Sequence, residues 1–422
     1  MSTIALFMGL LLLSYLGSLL TWLGSGSGKR GAGLASGSEF LVLGILAGPL
    51  VFRAVTRESL EVFDPFSYVG VGWLALSSGL EYGYVGERRV PLLRILSGVL
   101  LTVGCGVLVG FAAFRAAPFV ADLSRDDRLA LAIGLGVVCA ETTRHATQWV
   151  TERQRAAGPL TELLNDLAHS DELVPIAAVA LLFALRTPAR AMVHLPPLGW
   201  AGATLGVGFV LGVLTALLLA RDLRVAESWG TILGTSLMTI GLAARLDLAG
   251  VTAMFALGAT IAWVSRHRGD IRAMVVQTER AVLLPALVLA GARIDPATIG
   301  RLWMVIALAV GLRILGKLIS GWLVRLAPAA RSTTSLLGLA MLSSGGMTVA
   351  IGLAIDLRFP GRVGDTVLAA AVAATLVSEI VGTASLHRAL DRAGEIPPPS
   401  ERKVATREEP TEPQTHDAEV PS

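Results

Sequence analysis

Three side chains carry charge where the chain is otherwise apolar. Lys317 lies inside the run from Met304 to Leu323. It is one of three lysines, with Lys29 and Lys403, in a chain whose Lys plus Arg total is 35. Arginine is the usual cation here, and the exception sits in an apolar segment. Arg stays charged in essentially any protein setting, whereas the Lys ammonium is a compact charge that can release its proton when desolvated. Asp171 and Glu172 are adjacent carboxylates in the hydrophobic stretch from Leu160 to Arg186. An ionisable group at membrane depth is a functional-site hypothesis and needs a partner. Neighbours on a helix point about 100° apart, so one acid can face a cation path while the other faces a second group. A carboxylate offers a hard oxygen ligand to an alkali ion, or it holds a proton. A site that takes one or the other, never both, is the minimum for exchange.

Each residue has a second reading. Lys317 either pairs with the acids or snorkels to an interface. Arg313, one turn earlier on the same face, is the competing partner. The acids sit either mid-span or, if the span begins near Leu173, at the interface. Glu141, Arg144 and His145 face the cavity or form a local charge set near a helix end. Glu162, Asn165, Asp166 and His169, at helical spacing, are the wall of an aqueous funnel or a solvated helix end.

The elements that must position these groups are membrane spans. Of 422 residues, 53% are hydrophobic and 16% charged, and mean hydropathy is +0.66. Soluble proteins carry about 25% charged residues. Thirteen segments approach the ~20 apolar residues a span needs: 3–23, 36–53, 65–83, 92–114, 128–148, 160–186, 197–220, 227–244, 248–265, 275–293, 302–325, 332–355 and 364–386. Asp64-Pro65, Pro196-Pro197, Asp295-Pro296 and Phe359-Pro360-Gly361 mark helix ends. The first segment lacks a basic n-region and a cleavage site, so it reads as a span. Residues 1–394 form the transmembrane domain. Residues 395–422 are Pro-rich, charged and free of aromatics, the composition of a disordered cytoplasmic tail.

Basic residues are slightly more frequent after odd-numbered spans, Lys29 and Arg30 among them. The positive-inside rule then places the N-terminus outside and the C-terminus in the cytoplasm of a cell whose inner, or plasma, membrane the chain crosses. The net charge of +3 fits lipid headgroups and topology rather than nucleic acid. Cys105 and Cys139 read as small core residues. No nucleotide-binding glycine loop and no metal-ligand spacing is present, so neither an enzyme nor a resident cofactor is expected.

Two spans are interrupted. The fifth carries Glu141-Thr142-Thr143-Arg144-His145, the twelfth Ser343-Ser344-Gly345-Gly346. Interrupted hydrophobic segments at matching positions in two halves point to a transporter site. The two lie seven spans apart, so spans one to six and eight to thirteen read as inverted repeats with span seven as the linker. Thr142, Thr143, Ser343 and Ser344 offer hydroxyls where half-helices cross, and Gly345 and Gly346 allow the turn. Two continuous helices with small residues for close packing are the alternative.

Several motifs in order resemble the bacterial monovalent cation:proton antiporter-2 family of sodium/proton exchangers. They are Gly48-Pro49 after a Gly-rich run, Gly79-Leu80-Glu81, Gly250 to Gly258, Leu284-Pro285 to Asp295, and Gly316-Lys317 with Gly321. The resemblance covers roughly residues 1 to 395. It implies an all-α polytopic membrane protein of about 13 helices, with inverted repeats, two crossing broken helices, a dimerisation domain and a core domain that moves like an elevator. By resemblance, Asp171 or Glu172 is the essential ion-binding carboxylate, Lys317 is the basic partner, and Thr142 and Thr143 fall where the family breaks its span. The transported ions would be H+ and Na+, or K+ or Li+, and the assembly a homodimer. The chain departs from the family in having Ser170-Asp171-Glu172, Ser344-Gly345-Gly346 in place of Arg-Gly-Glu, and extra charges at Glu141, Arg144 and His145. Two other functions stay open: a sodium-coupled organic anion carrier of the same architecture, and a membrane sensor that does not transport.

Overall fold

A computed structural model describes residues 37–85, 92–116, 122–186, 195–220, 225–325 and 337–397. The first expected span, with Lys29 and Arg30, and most of the tail lie outside the described residues, as does the side chain of His145. The described chain is helical: α1 Ser38–Ala47, α2 Arg57–Glu61, α3 Asp64–Val85, α4 Leu92–Arg115, α5 Arg125–Ala140, α6 Arg144–Gln154, α7 Pro159–Ala184 and α8 Pro197–Leu219. There follow α9 Val225–Arg245, α10 Gly250–Val264, α11 Arg268–Ala292, α12 Pro296–Val324, α13 Leu337–Ala340, α14 Gly346–Arg358, α15 Arg362–Val377 and, after one π turn at Ser378–Gly382, α16 Thr383–Arg392. Six of these segments are long and apolar enough to cross a membrane, α7 and α12 among them. Pro197 and Pro296 each stand in the first turn of a helix, where a missing N–H costs nothing.

Both expected breaks are present. Residues 141–143 separate α5 from α6, and residues 341–345 separate α13 from α14. Gly346 of the second break acts through space, not through a left-handed backbone. Neither Gly345 nor Gly346 has a positive φ. A Cβ at Gly346 would instead lie 3.0 Å from the Leu283 side chain.

The repeat is visible in how glycines pack. Gly44 of α1 lets Val288 of α11 approach, and Gly291 of α11 does the same for Leu41 of α1. Gly79 of α3 and Gly258 of α10 make the matching reciprocal contact: added Cβ atoms would lie 2.2 Å from Phe255 O and 2.3 Å from Leu76 O. Spans two and three therefore exchange partners with spans nine and ten, as two inverted halves require.

The body extends past residue 394. The Glu395 carboxylate accepts from the amides of Leu160 and Thr161, each at 2.7 Å, and from Thr161 Oγ1. Ile396 is buried against Leu160, Leu164 and Leu390. Glu395, which composition assigns to the tail, is ordered because the N-terminus of α7 has orphan N–H groups that attract an anion.

Candidate functional site

The two breaks bond to each other. Thr143 N donates to Ser343 O at 3.0 Å, and Thr142 Oγ1 donates to Met341 O at 3.3 Å. Unwound backbone at membrane depth is tolerated only inside protein or along a cavity, and every residue from Glu141 to Thr143 and from Ser343 to Gly346 is buried. Ser343 Oγ turns back to Ala340 O at 3.1 Å. Ser344 Oγ pairs with Thr348 Oγ1 at 2.5 Å and reaches Thr375 Oγ1 at 3.5 Å. These two hydroxyls hold the break and do not face the acids. The π turn covers it: Ser378 Oγ donates to Leu342 O at 2.5 Å.

Half-helix ends carry partial charges of opposite sign, and each sign meets its complement. Arg313, 1% exposed, donates to Cys139 O at 2.7 Å and Val138 O at 3.4 Å at the end of α5. Its other terminal nitrogen donates to Leu342 O at 3.1 Å after α13. Arg313 is therefore spent on carbonyls and does not compete for the acid pair. Glu141, fully buried, accepts from Thr143 Oγ1 at 2.8 Å and from Thr348 Oγ1. It places a carboxyl where α6 and α14 begin.

Beside the crossing lies the acid pair. Asp171 and Glu172 are 1% and 0% exposed, near the middle of α7 rather than at its end. Lys317, also 1% exposed, donates from Nζ to Asp171 Oδ2 at 3.1 Å and to Thr142 Oγ1 at 2.5 Å. Thr102 Oγ1 on α4 donates to Asp171 Oδ1 at 2.5 Å. Both Asp171 oxygens are thus occupied. Glu172 points the other way, to α3, where Ser78 Oγ donates to Oε1 at 3.0 Å. Glu172 Oε2 has no hydrogen-bond partner among the described residues. Pro175 lies four residues after Asp171 inside α7, so the Asp171 carbonyl lacks the amide that would normally close that turn.

A second polar rung sits one turn away. Glu81, three residues after Ser78, pairs with Arg144 and with Arg272 at 3.1 Å. His169, three residues before Glu172, meets Arg144 Nη1 through Nδ1 at 3.1 Å. It stacks on Tyr82 at 3.7 Å, and the Tyr82 hydroxyl donates to His169 O. Glu279 accepts from Ser77 Oγ at 2.5 Å. Further along α7, Asp166 pairs with Arg94 at 2.7 Å. Exposure falls along one stripe of α7: Glu162 is exposed, Asn165 and His169 half-buried, Glu172 buried. Beyond it, Ile176, Val179 and Phe183 are apolar and buried.

The sequence brought Lys317, Thr142, Asp171 and Glu172 to one place, and the structure puts them together. It did not single out Thr102, Ser78 or Thr348. Their hydroxyls are common in apolar helices, and the only available signal was Ser77-Ser78 one turn before Glu81.

Two crossed, interrupted spans beside a buried carboxylate pair define the fold of a secondary transporter. The sodium/hydrogen exchanger transmembrane family model matches residues 15–392, and the chain belongs to that family. The match is to the family as a whole; the antiporter-2 group is a finer assignment. Among solved structures, the chain is similar to the sodium proton antiporter MjNhaP1 of Methanocaldococcus jannaschii at pH 8. That likeness has a TM-score of 0.66 at 16% identity, over 94% of this chain and 99% of that one. An electron-microscopy structure of the same antiporter gives 0.66 at 17% identity, over 94% of this chain and 100% of the other. At this identity the likeness concerns the fold. No curated protein matches.

Proposed function

We propose that the chain exchanges a monovalent cation, Na+ first, for H+ across the membrane, and that Glu172 is the carboxylate that carries one or the other. The observation that carries this reading is the contrast between the two acids. Asp171 pairs with Lys317 through one oxygen and meets the Thr102 hydroxyl with the other. Glu172 is equally buried, has a single hydroxyl donor, and ends the polar stripe of α7. A buried carboxylate without a fixed counter-ion must take up a proton or a cation. The Asp171 carbonyl, which Pro175 leaves without its helical amide, is a further hard oxygen in this turn of α7. Lys317 holds Asp171 and Thr142 in register, so it ties the α7 acids to the break in the fifth span.

Access to the site would alternate by elevator motion of the helices around the crossing, in a homodimer of the cell inner membrane with the C-terminus cytoplasmic. An organic-anion carrier would need substrate donors at the cavity, such as Arg144 or Arg313 reaching it. Arg313 is committed to carbonyls and Arg144 to Glu81, which weighs against it. The sensor alternative predicts no flux at all.

Proteoliposomes decide. With an imposed pH gradient, Na+, K+ or Li+ is added in turn and internal pH followed by dye fluorescence. Wild type should dissipate the gradient on addition of Na+, and Glu172→Gln should abolish this. Silence of well-folded wild type with every cation between about pH 6 and 9, either side of physiological pH, would sink the reading.

A further inference from the structure

Arg144 occupies a costly position. It is the first residue of α6, where the half-helix end is already partly positive and a cation is unfavourable. It is 3% exposed, and a buried guanidinium needs carboxylate compensation. Glu81 supplies it, and Arg272, itself half-exposed, shares that carboxylate. The Arg144 guanidinium also meets His169 on α7, and the charges of Glu172 on α7 and Glu279 on α11 act on it. Two rungs therefore run between α3 and α7. Ser78 meets Glu172 on one, and Glu81 with Arg144 meets His169 on the next. Residues three apart on a helix are neighbours, separated along the axis by about 4.5 Å, well within the sweep of an arginine side chain.

If Glu81 did not hold it, Arg144 would have two carboxylates to choose from. Glu279 is engaged by Ser77 at 2.5 Å. Glu172 Oε2 has no hydrogen-bond partner among the described residues. The guanidinium would go to Glu172, where a transported cation must bind.

We propose that Arg144 is a tethered cation that competes for the Glu172 site, and that Glu81 is the positioning residue that holds it off and so sets the apparent cation affinity. This rests on the exchange reading above. It assigns to Glu81 and Arg144 a role in specificity for small cations that the carboxylate pair alone does not explain.

The test uses the full chain in proteoliposomes, measuring the half-saturating Na+ concentration and the maximal rate separately. Glu81→Gln should raise half-saturation by about tenfold while the maximal rate stays within about twofold, the pattern of a lost ground-state interaction. Arg144→Gln alone should lower half-saturation by about threefold, since a nearby positive charge is removed. The double variant Glu81→Gln/Arg144→Gln should return to the Arg144→Gln value. An unchanged half-saturation in Glu81→Gln, or a double variant that keeps the Glu81→Gln defect, overturns the proposal. Should Glu81→Gln fail to fold, Arg144→Gln decides: no change from wild type overturns it. Wild type silent to every cation defeats the exchange reading and this proposal with it. Active wild type with indifferent variants defeats the proposal alone.

Discussion

At the scale of single residues, the charged part of the site was legible and the neutral part was not. A lysine and two acids in apolar runs stand out because each would be costly without a role. Thr102 is the opposite case. Its hydroxyl lies 2.5 Å from Asp171 Oδ1 and also 3.0 Å from Gly98 O one turn back, and threonines in these helices ordinarily bond back in that way, as Thr215 does to Leu211 O and Thr239 to Thr235 O. A threonine that closes an ion site is indistinguishable in sequence from one that satisfies itself. The Lys317–Asp171 pair makes a sharp prediction. Both partners are buried, at 2% and 1% side-chain exposure. Removing one leaves a stranded charge, which costs about 3–5 kcal/mol. Lys317→Met should therefore lower the thermal stability of the detergent-purified protein strongly. Asp171→Asn/Lys317→Met should recover most of the loss, because no charge is then unpaired. Equal stability of Lys317→Met and wild type would remove the pair from the account.

At the scale of elements, the breaks were visible because hydroxyls, glycines and charges interrupt two apolar runs. What compensates the exposed ends was not visible, since it arrives from distant segments. Arg313 reaches carbonyls of α5 and of Leu342, two residues after α13. Each carbonyl left unsatisfied on its removal costs about 1–3 kcal/mol. Arg313→Met should lose stability and flux together, and Arg313→Lys should fall between, having no fork to span both ends. The N-terminus of α7 shows the same logic. Gly158 offers no side-chain cap, and a Cβ there would lie 2.4 Å from the Glu395 carboxyl carbon. The cap comes instead from Glu395, far along the chain, so no local pattern could announce it. Glu395→Ala should cost about 1–2 kcal/mol, as loss of a helix cap does.

A third cap carries a pH signature. Asp295 precedes α12 and accepts from the amides of Ala297 and Thr298 and from Thr298 Oγ1. Burial pushes its carboxyl up, but these hydrogen bonds and the Arg57 charge outweigh it and hold it below the ordinary aspartate value. A depressed carboxyl stabilises the fold above its unfolded value and loses that contribution as pH falls through the folded one. Melting temperature should therefore drop more steeply for wild type than for Asp295→Ala below about pH 4. Parallel curves would assign the acid sensitivity elsewhere.

At the scale of the whole molecule, polarity along α7 is asymmetric about Glu172. One side of the acid along α7 is a stripe that opens through His169 and Asn165 to Glu162; the other is Ile176, Val179 and Phe183. At 1.5 Å per residue, Glu162 lies about 15 Å from Glu172 along the helix. The far end of the bundle is tied by ion pairs, Arg293 with Asp64 and Asp356, and Arg57 with Asp365. Such pairs join α3, the end of α11, α14 and α15 where no polar stripe descends. The polar stripe thus reaches the acid from one end of α7 only; the same polar residues serve a funnel or a solvated helix end, and the sequence could not tell which. The prediction is chemical. Cys105 and Cys139 are free and buried, so native background labelling should be low. Glu162→Cys and Asn165→Cys should react with a membrane-impermeant maleimide added to one face of oriented vesicles, the cytoplasmic face if the C-terminus is cytoplasmic, and Val179→Cys should react from neither. Labelling of Val179→Cys from the opposite face would mean that the apolar side of α7 is open, and the one-sided reading of the site would fail with it.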